Sequence, residues 1–239
     1  MATIFEALIG AIQHHQAGRF QEAETAYRKI LQVEPHNPDA LHLLGVIAHQ
    51  TGNHEVAVEY ITRAIALNPA AAEYHSNIGE AYRALARLNE AEASFQQALA
   101  LKPDYAEAHN NLGNALSAQG KMEEAVTHYR QAVALKPDYP SAHNNLGNIL
   151  REQGRHIEAE TSYRRALEFT PNLTEAHSNL GIALAAQGRL IEAETSVQRA
   201  LALKPDFVEA HNNLGNILRE QGRHAEAEAS YRRALECKP

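Results

Sequence analysis

The sequence predicts an all-α fold, a solenoid of seven helix-turn-helix units, and three observations carry that prediction. Glycine recurs at Gly45, Gly79, Gly113, Gly147, Gly181 and Gly215, always 34 residues after the last. Proline keeps the same period at Pro35, Pro69, Pro103, Pro137, Pro171, Pro205 and Pro239, and alanine keeps it from Ala23 through Ala57, Ala91, Ala125, Ala159 and Ala193 to Ala227. Composition agrees: 43 Ala and 25 Leu stand against 21 Val plus Ile in 239 residues. Ala and Leu lose little side-chain freedom in a helix, whereas β-branched residues favour strands. A period of this length marks one supersecondary element per unit. The units begin near residues 4, 38, 72, 106, 140, 174 and 208, and with no linker or composition break between them residues 1–239 read as a single solenoid.

The unit 106–139 shows what each column does. Ala108, Leu112, Ala115 and Leu116 form the apolar stripe of a first helix, and Ala125, Val126, Tyr129, Ala132 and Val133 that of a second. Gly120 sits between them, where a left-handed residue is easiest as glycine. Lys136-Pro137 stops the second helix, because proline lacks an N–H and restricts the residue before it. Gly113 and Ala125 are small, so the two helices can approach closely. Each hairpin then has an apolar back that only a neighbouring hairpin can cover.

The order Leu112-Gly113, Gly120, Ala125, Tyr129, Ala132, Pro137 resembles the tetratricopeptide-repeat pattern over essentially the whole chain. There are informative departures. His75, His109, His143, His177 and His211 stand where the family often has a large aromatic, four residues before the glycine. The first unit has Ala11 in place of the glycine, with Leu8, Ile9 and Ile12 on a shifted face, as terminal repeats often do. The third has Ala86 where the turn glycine belongs.

The resemblance implies a right-handed superhelix whose concave wall is made by the first helices, and directs attention to their polar residues. Asn77, Asn111, Asn145, Asn179 and Asn213 fall two residues before the glycine. Asn114, Asn148 and Asn216 follow it, and Asn110, Asn144 and Asn212 precede it by three, with Ser76 and Ser178 in the gaps. Asparagine is a poor helix-interior residue, so its repetition needs a reason. A carboxamide offers a donor and an acceptor, which match the N–H and C=O of an extended peptide whatever its side chains. Packed helices about 8–10 Å apart would meet roughly every third residue of such a chain. The alternative is that these amides tie adjacent repeats together. Arg83, Arg151 and Arg219 run beside the ladder, and Glu73, Glu107, Glu175 and Glu209 form another line. The strings Ala108–Leu116 and Ala142–Leu150 are similar to the repeat region of O-linked N-acetylglucosamine transferases and their bacterial relatives, which implies a substrate- or partner-binding arm. The chaperone carboxylate clamp known among such repeats does not fit, because Asn110, Asn144, Glu175 and Glu209 stand where it needs cations.

Other chemistry finds no support. The net charge of −7 gives no reason to seek nucleic acid or an anionic membrane. Neither a membrane span nor a secretory leader is expected, and a cytoplasmic protein follows. The single cysteine, Cys237, excludes an internal disulfide framework. The 14 histidines form a diverging column, where a metal site needs converging ligands. No metal, cofactor or catalytic residue is therefore predicted. Semi-buried packing is the expected histidine role, with some loss of stability in mild acid. The expected function is a non-catalytic scaffold for a protein or an extended peptide. Two alternatives are the recognition arm of a larger glycosyltransferase-like enzyme and a self-associating array joined end to end through its C-terminal repeat. The stop at Pro239, on a motif residue, suggests a fragment cut at a repeat boundary.

Overall fold

The computed structural model describes residues 3–237; Pro239, the last of the proline column, lies outside them. The described residues form fourteen helices and no strand. They fall into two compact units divided between Lys121 and Met122. The first holds α1 (Ile4–Gln16), α2 (Phe20–Val33), α3 (Pro38–Gln50), α4 (His54–Leu67), α5 (Ala72–Ala84), α6 (Leu88–Leu101) and α7 (Ala106–Ala118). The second holds α8 (Met122–Leu135), α9 (Pro140–Glu152), α10 (His156–Phe169), α11 (Thr174–Ala185), α12 (Leu190–Leu203), α13 (Val208–Glu220) and α14 (His224–Glu236). Among the described residues no helix is long and apolar enough to cross a membrane.

Packing is nearest-neighbour in both units. In the first, α1 pairs with α2, α3 with α4 and α5 with α6, and the second helix of each pair covers the first helix of the next. The second unit repeats this with α9 and α10, α11 and α12, and α13 and α14. Within a pair the glycine column sets the distance. A Cβ on Gly147 would lie 2.6 Å from the Tyr163 ring, and one on Gly79 2.7 Å from the Phe95 ring. At that distance a Cβ forces the facing ring or the helices to shift. In the first pair Ala11 takes this place and is buried. Leu8 and Ile12 lean on the core there, while Phe5 and Ile9 face outward.

The ends of the helices follow from local chemistry. Thr3 and Glu6 close a capping box on α1, with the Thr3 amide donating to Glu6 at 2.7 Å and the Glu6 amide to the Thr3 hydroxyl at 3.2 Å. Lys102 and Lys204, each followed by proline, leave the helical region at φ −138°, because the proline ring disfavours it. The histidine column proves to be a latch. The Nε2 atoms of His75, His143, His177 and His211 lie 2.8–3.0 Å from the carbonyl oxygens of Pro69, Pro137, Pro171 and Pro205. The carbonyl can only accept, so each imidazole donates from Nε2. Each ring therefore pins its own first helix to the end of the preceding repeat.

Charged staples on the second-helix side join successive repeats. Arg189 donates to Glu160 at 2.7 Å and Gln187 to the same carboxylate at 3.0 Å. One repeat on, Arg223 and Gln221 bind Glu194 at 2.6 and 3.0 Å. In the first unit Lys121 reaches Glu92 at 2.7 Å. Burial pushes the Glu160 carboxyl upward, but Gln187, Arg164 and Arg189 together hold it below its ordinary range.

The turns between paired helices carry positive φ at Gly18, Gly52, Gly120, Gly154, Gly188 and Gly222, and at one non-glycine, Ala86, with φ 57°. An alanine Cβ crowds the following carbonyl in this left-handed region. Ala86→Gly therefore raises the melting temperature, with a gain of about 0.5–1 kcal/mol; an unchanged or lower value in thermal denaturation counts against this assignment of strain.

Candidate functional site

Helical geometry decides which asparagines can meet a ligand. Successive residues turn by about 100°, so a residue two before the glycine points about 200° away from the paired helix. Asn77, Asn111, Asn145, Asn179 and Asn213 obey this and are half-buried on the open side of their first helices. The residue three before the glycine turns back toward the packed side. There His42, Ser76, Asn110 and Ser178 are buried, Asn144 is half-buried, and Asn212 is exposed.

The two columns are wired together. Asn77 donates from Nδ2 to Nε2 of His42 at 2.8 Å, and Asn213 from Nδ2 to the Ser178 hydroxyl at 3.0 Å, each reaching 35 residues back into the preceding repeat. Asn179 instead donates to Oδ1 of Asn148 at 2.9 Å, while Asn110 donates to Oδ1 of Asn111 at 3.2 Å. For Asn77, Asn179 and Asn213, one amide hydrogen thus serves the stack. Among the described residues their Oδ1 atoms accept no hydrogen bond. These amides therefore tie repeats together, and each keeps an Oδ1 that the stack does not use.

The column after the glycine has a role that position alone did not disclose. Asn148 accepts from the Tyr163 hydroxyl at 2.8 Å and Asn216 from that of Tyr231 at 2.9 Å, each 15 residues on. The sequence holds the same spacing at Asn114 and Tyr129. Where the aromatic has no hydroxyl, at Phe95, the residue 15 before it is Glu80; where it is Val197, that residue is Ile182. Tyr27 breaks the rule, with Ile12 in place of asparagine; its hydroxyl is buried without a partner, and burial pushes its pKa up to about 12. Counting residues from each tyrosine to the asparagine would have revealed this column.

The predicted arginines part company. Arg83 pairs with Glu80 at 3.0 Å. Arg151 is half-buried, and its Nε is buried with no hydrogen-bond partner, as is Oδ1 of Asn144. Arg219 is exposed and shares a groove of about 520 Å³ with Asn213 and Asn216, spaced three residues apart along α13. Ile182, Ala185 and Ala186 of α11 form its other wall. The groove thus offers an amide, a second amide and a guanidinium in a row, with the Glu220 carboxylate beside them, against a small apolar wall. Among the described residues no three His, Cys, Asp or Glu side chains converge as a metal site would require.

His42 is the unusual member of the inner column. It stacks on Tyr74 with ring centroids 4.2 Å apart, and the Tyr74 hydroxyl donates to Asp39. Burial lowers the His42 pKa to about 4, against smaller upward pulls from Asp39 and Glu73. Its Nε2 accepts from Asn77, so protonation would remove the lone pair that bond uses.

A family model described as "Cilia and flagella-associated protein 70 C-terminal domain" matches residues 6–203, and one described as "Tetratricopeptide repeat" matches residues 175–239. Over 81 residues the chain is 37% identical to a UDP-N-acetylglucosamine–peptide N-acetylglucosaminyltransferase of Caenorhabditis elegans, a stretch that is 34% of this chain and 7% of that protein. Among solved structures, pilF of Pseudomonas aeruginosa aligns with a TM-score of 0.79 at 18% identity, over 92% of this chain and 97% of that one. YrrB, described as a repeat protein with an unusual peptide-binding site, aligns with a TM-score of 0.63 at 21% identity, over 77% and 95%. At these identities the structural likeness shows the fold alone.

Two measurements test the wiring. Tyr27→Phe removes an orphaned hydroxyl and leaves stability equal or higher, whereas Tyr163→Phe deletes a satisfied hydrogen bond to Asn148 and lowers it by about 1 kcal/mol; equal losses in urea titrations would contradict the pairing. His42 is neutral when folded and its pKa lies below the unfolded value. Its contribution is therefore complete above about pH 6.5 and is lost as the pH falls toward 4. Between pH 7.5 and pH 5 the parent loses about 2 kcal/mol more stability than a His42→Ser chain; parallel pH profiles would contradict it.

Proposed function

Because this chain belongs to the tetratricopeptide-repeat family, we propose that it is a protein-interaction scaffold that holds an extended peptide against the open face of its first helices. The observation that carries this reading is the groove between α11 and α13, where Asn213, Asn216 and Arg219 stand in line. The unused Oδ1 of Asn213 is the acceptor for a backbone N–H, and Arg219 supplies a cation for a carboxylate or carbonyl of the peptide. Recognition through the peptide backbone favours extended segments over any one sequence. Binding needs no reacting group, cofactor or metal in this scheme.

A second reading has one specific observation in its favour, the match to part of a peptide-modifying glycosyltransferase. In that reading the same face presents a protein substrate to a catalytic domain elsewhere in a longer chain. The gene separates the two: a sugar-nucleotide domain encoded after codon 239 supports the arm, and a stop codon there removes it.

The groove itself is tested with an array of extended peptides. Asn213→Ala combined with Arg219→Ala weakens binding by about tenfold, the equivalent of one or two polar contacts. Circular dichroism should show the helical signal retained. Undiminished binding by a folded double variant would end the backbone-grip mechanism.

A further inference from the structure

The geometry points to a second binding site, on the second-helix side of the 122–239 unit, that takes an amphipathic helical segment of a partner protein carrying apolar side chains followed by a carboxylate one turn on. The site is a cleft of about 710 Å³ between α10 and α12, floored by α11. It is separate from the asparagine groove and does not depend on that reading.

Its floor is formed by Leu180 and Leu184 with His177 at one end, whose Nε2 is already committed to the Pro171 carbonyl, and Leu167 stands on the α10 wall. The α12 wall is graded. Ile191, Thr195 and Arg199 follow at four-residue intervals along one face, spanning about 12 Å, or two helical turns. Ile191 is 80% exposed, as Ile157 is at the same place in α10 at 72%, so its side chain is available to a ligand. Thr195 donates its hydroxyl to the Ile191 carbonyl at 3.0 Å, so its methyl is what remains to offer a ligand. The wall thus runs from oil to cation.

The charges indicate what fits. Glu168 is held by Arg165 at 2.6 Å, and Glu192 by Arg189 at 2.6 Å with Arg164 at 3.8 Å. Both carboxylates in the cleft are therefore already matched. Arg199 is not: its contact is the neutral amide oxygen of Asn172 at 3.2 Å, and among the described residues it has no carboxylate partner. An occupant completes the site by placing apolar side chains over Leu180 and Ile191 and an Asp or Glu at Arg199. An α-helix meets that demand with residues on one face at four-residue spacing. It also needs only one face covered, which suits a cleft open along its length; an acyl chain laid there would stay half wet.

A library of phage-displayed helical peptides, panned on the full 239-residue chain and counter-selected on its Arg199→Glu variant, tests this. Enriched peptides should carry apolar residues at four-residue spacing with an acidic residue one turn on. They should bind Ile191→Ser and Arg199→Glu chains about tenfold or more weakly. Exchanging the peptide's acid for lysine should restore binding to Arg199→Glu alone. Both substituted residues are on the surface, and unchanged melting curves confirm that the variants fold. The proposal is overturned if panning enriches nothing over the counter-selected chain, if the enriched peptides lack the acid, or if charge exchange gives no rescue. It is equally overturned if decanoate, and no peptide, binds with the Arg199 dependence, which would assign the cleft to a small amphiphile.

Discussion

Burial between repeats is the constraint on which everything else depends. A two-helix hairpin covers one side of each helix and leaves the other side apolar, so it is stable only against the next hairpin. That requirement fixes the glycine column, because the Tyr163 ring fills the space a Cβ on Gly147 would need. It also fixes the register at which one repeat meets the next. Polar side chains then find partners at constant offsets: 35 residues for Asn77 to His42 and Asn213 to Ser178, and 29 for Arg189 to Glu160 and Arg223 to Glu194. These bonds follow from the packing and hold it in a single register.

This explains why so many polar residues recur without each being a ligand contact. The histidines serve the proline carbonyls, the asparagines after the glycine serve tyrosine hydroxyls, and the Gln–Arg pairs serve a glutamate of the preceding repeat. A buried polar group without a partner is costly, so a duplicated repeat keeps partner columns together. Where one partner has drifted, the mark is visible: Tyr27 faces Ile12 and has an orphaned hydroxyl.

Function has to use what this wiring leaves over. On the first-helix side the remainder is the Oδ1 of Asn77, Asn179 and Asn213, together with Arg219, which is exposed. On the second-helix side it is Ile191 and Arg199, which no neighbour covers or neutralises. The two remainders differ in chemistry. We propose peptide backbone for the one and an apolar, acidic helix face for the other, which would place two partners on one small unit.

The sequence by itself determined the helical class, the hairpin unit, the turn positions and the columns, because period and residue size are properties of the chain. It marked Ala86 as the one non-glycine in a column that turned out to be left-handed throughout. It could not divide the asparagines by role, since Asn148, Asn179 and Asn213 are chemically identical. Only the packed structure did so, by committing Asn148 to a tyrosine hydroxyl and turning Asn179 and Asn213 toward an earlier repeat with their Oδ1 unused. Nor could it find the cleft at Ile191, whose walls come from three different helices. A helix face is legible from local spacing; a site shared between helices exists only once their packing has set the distances.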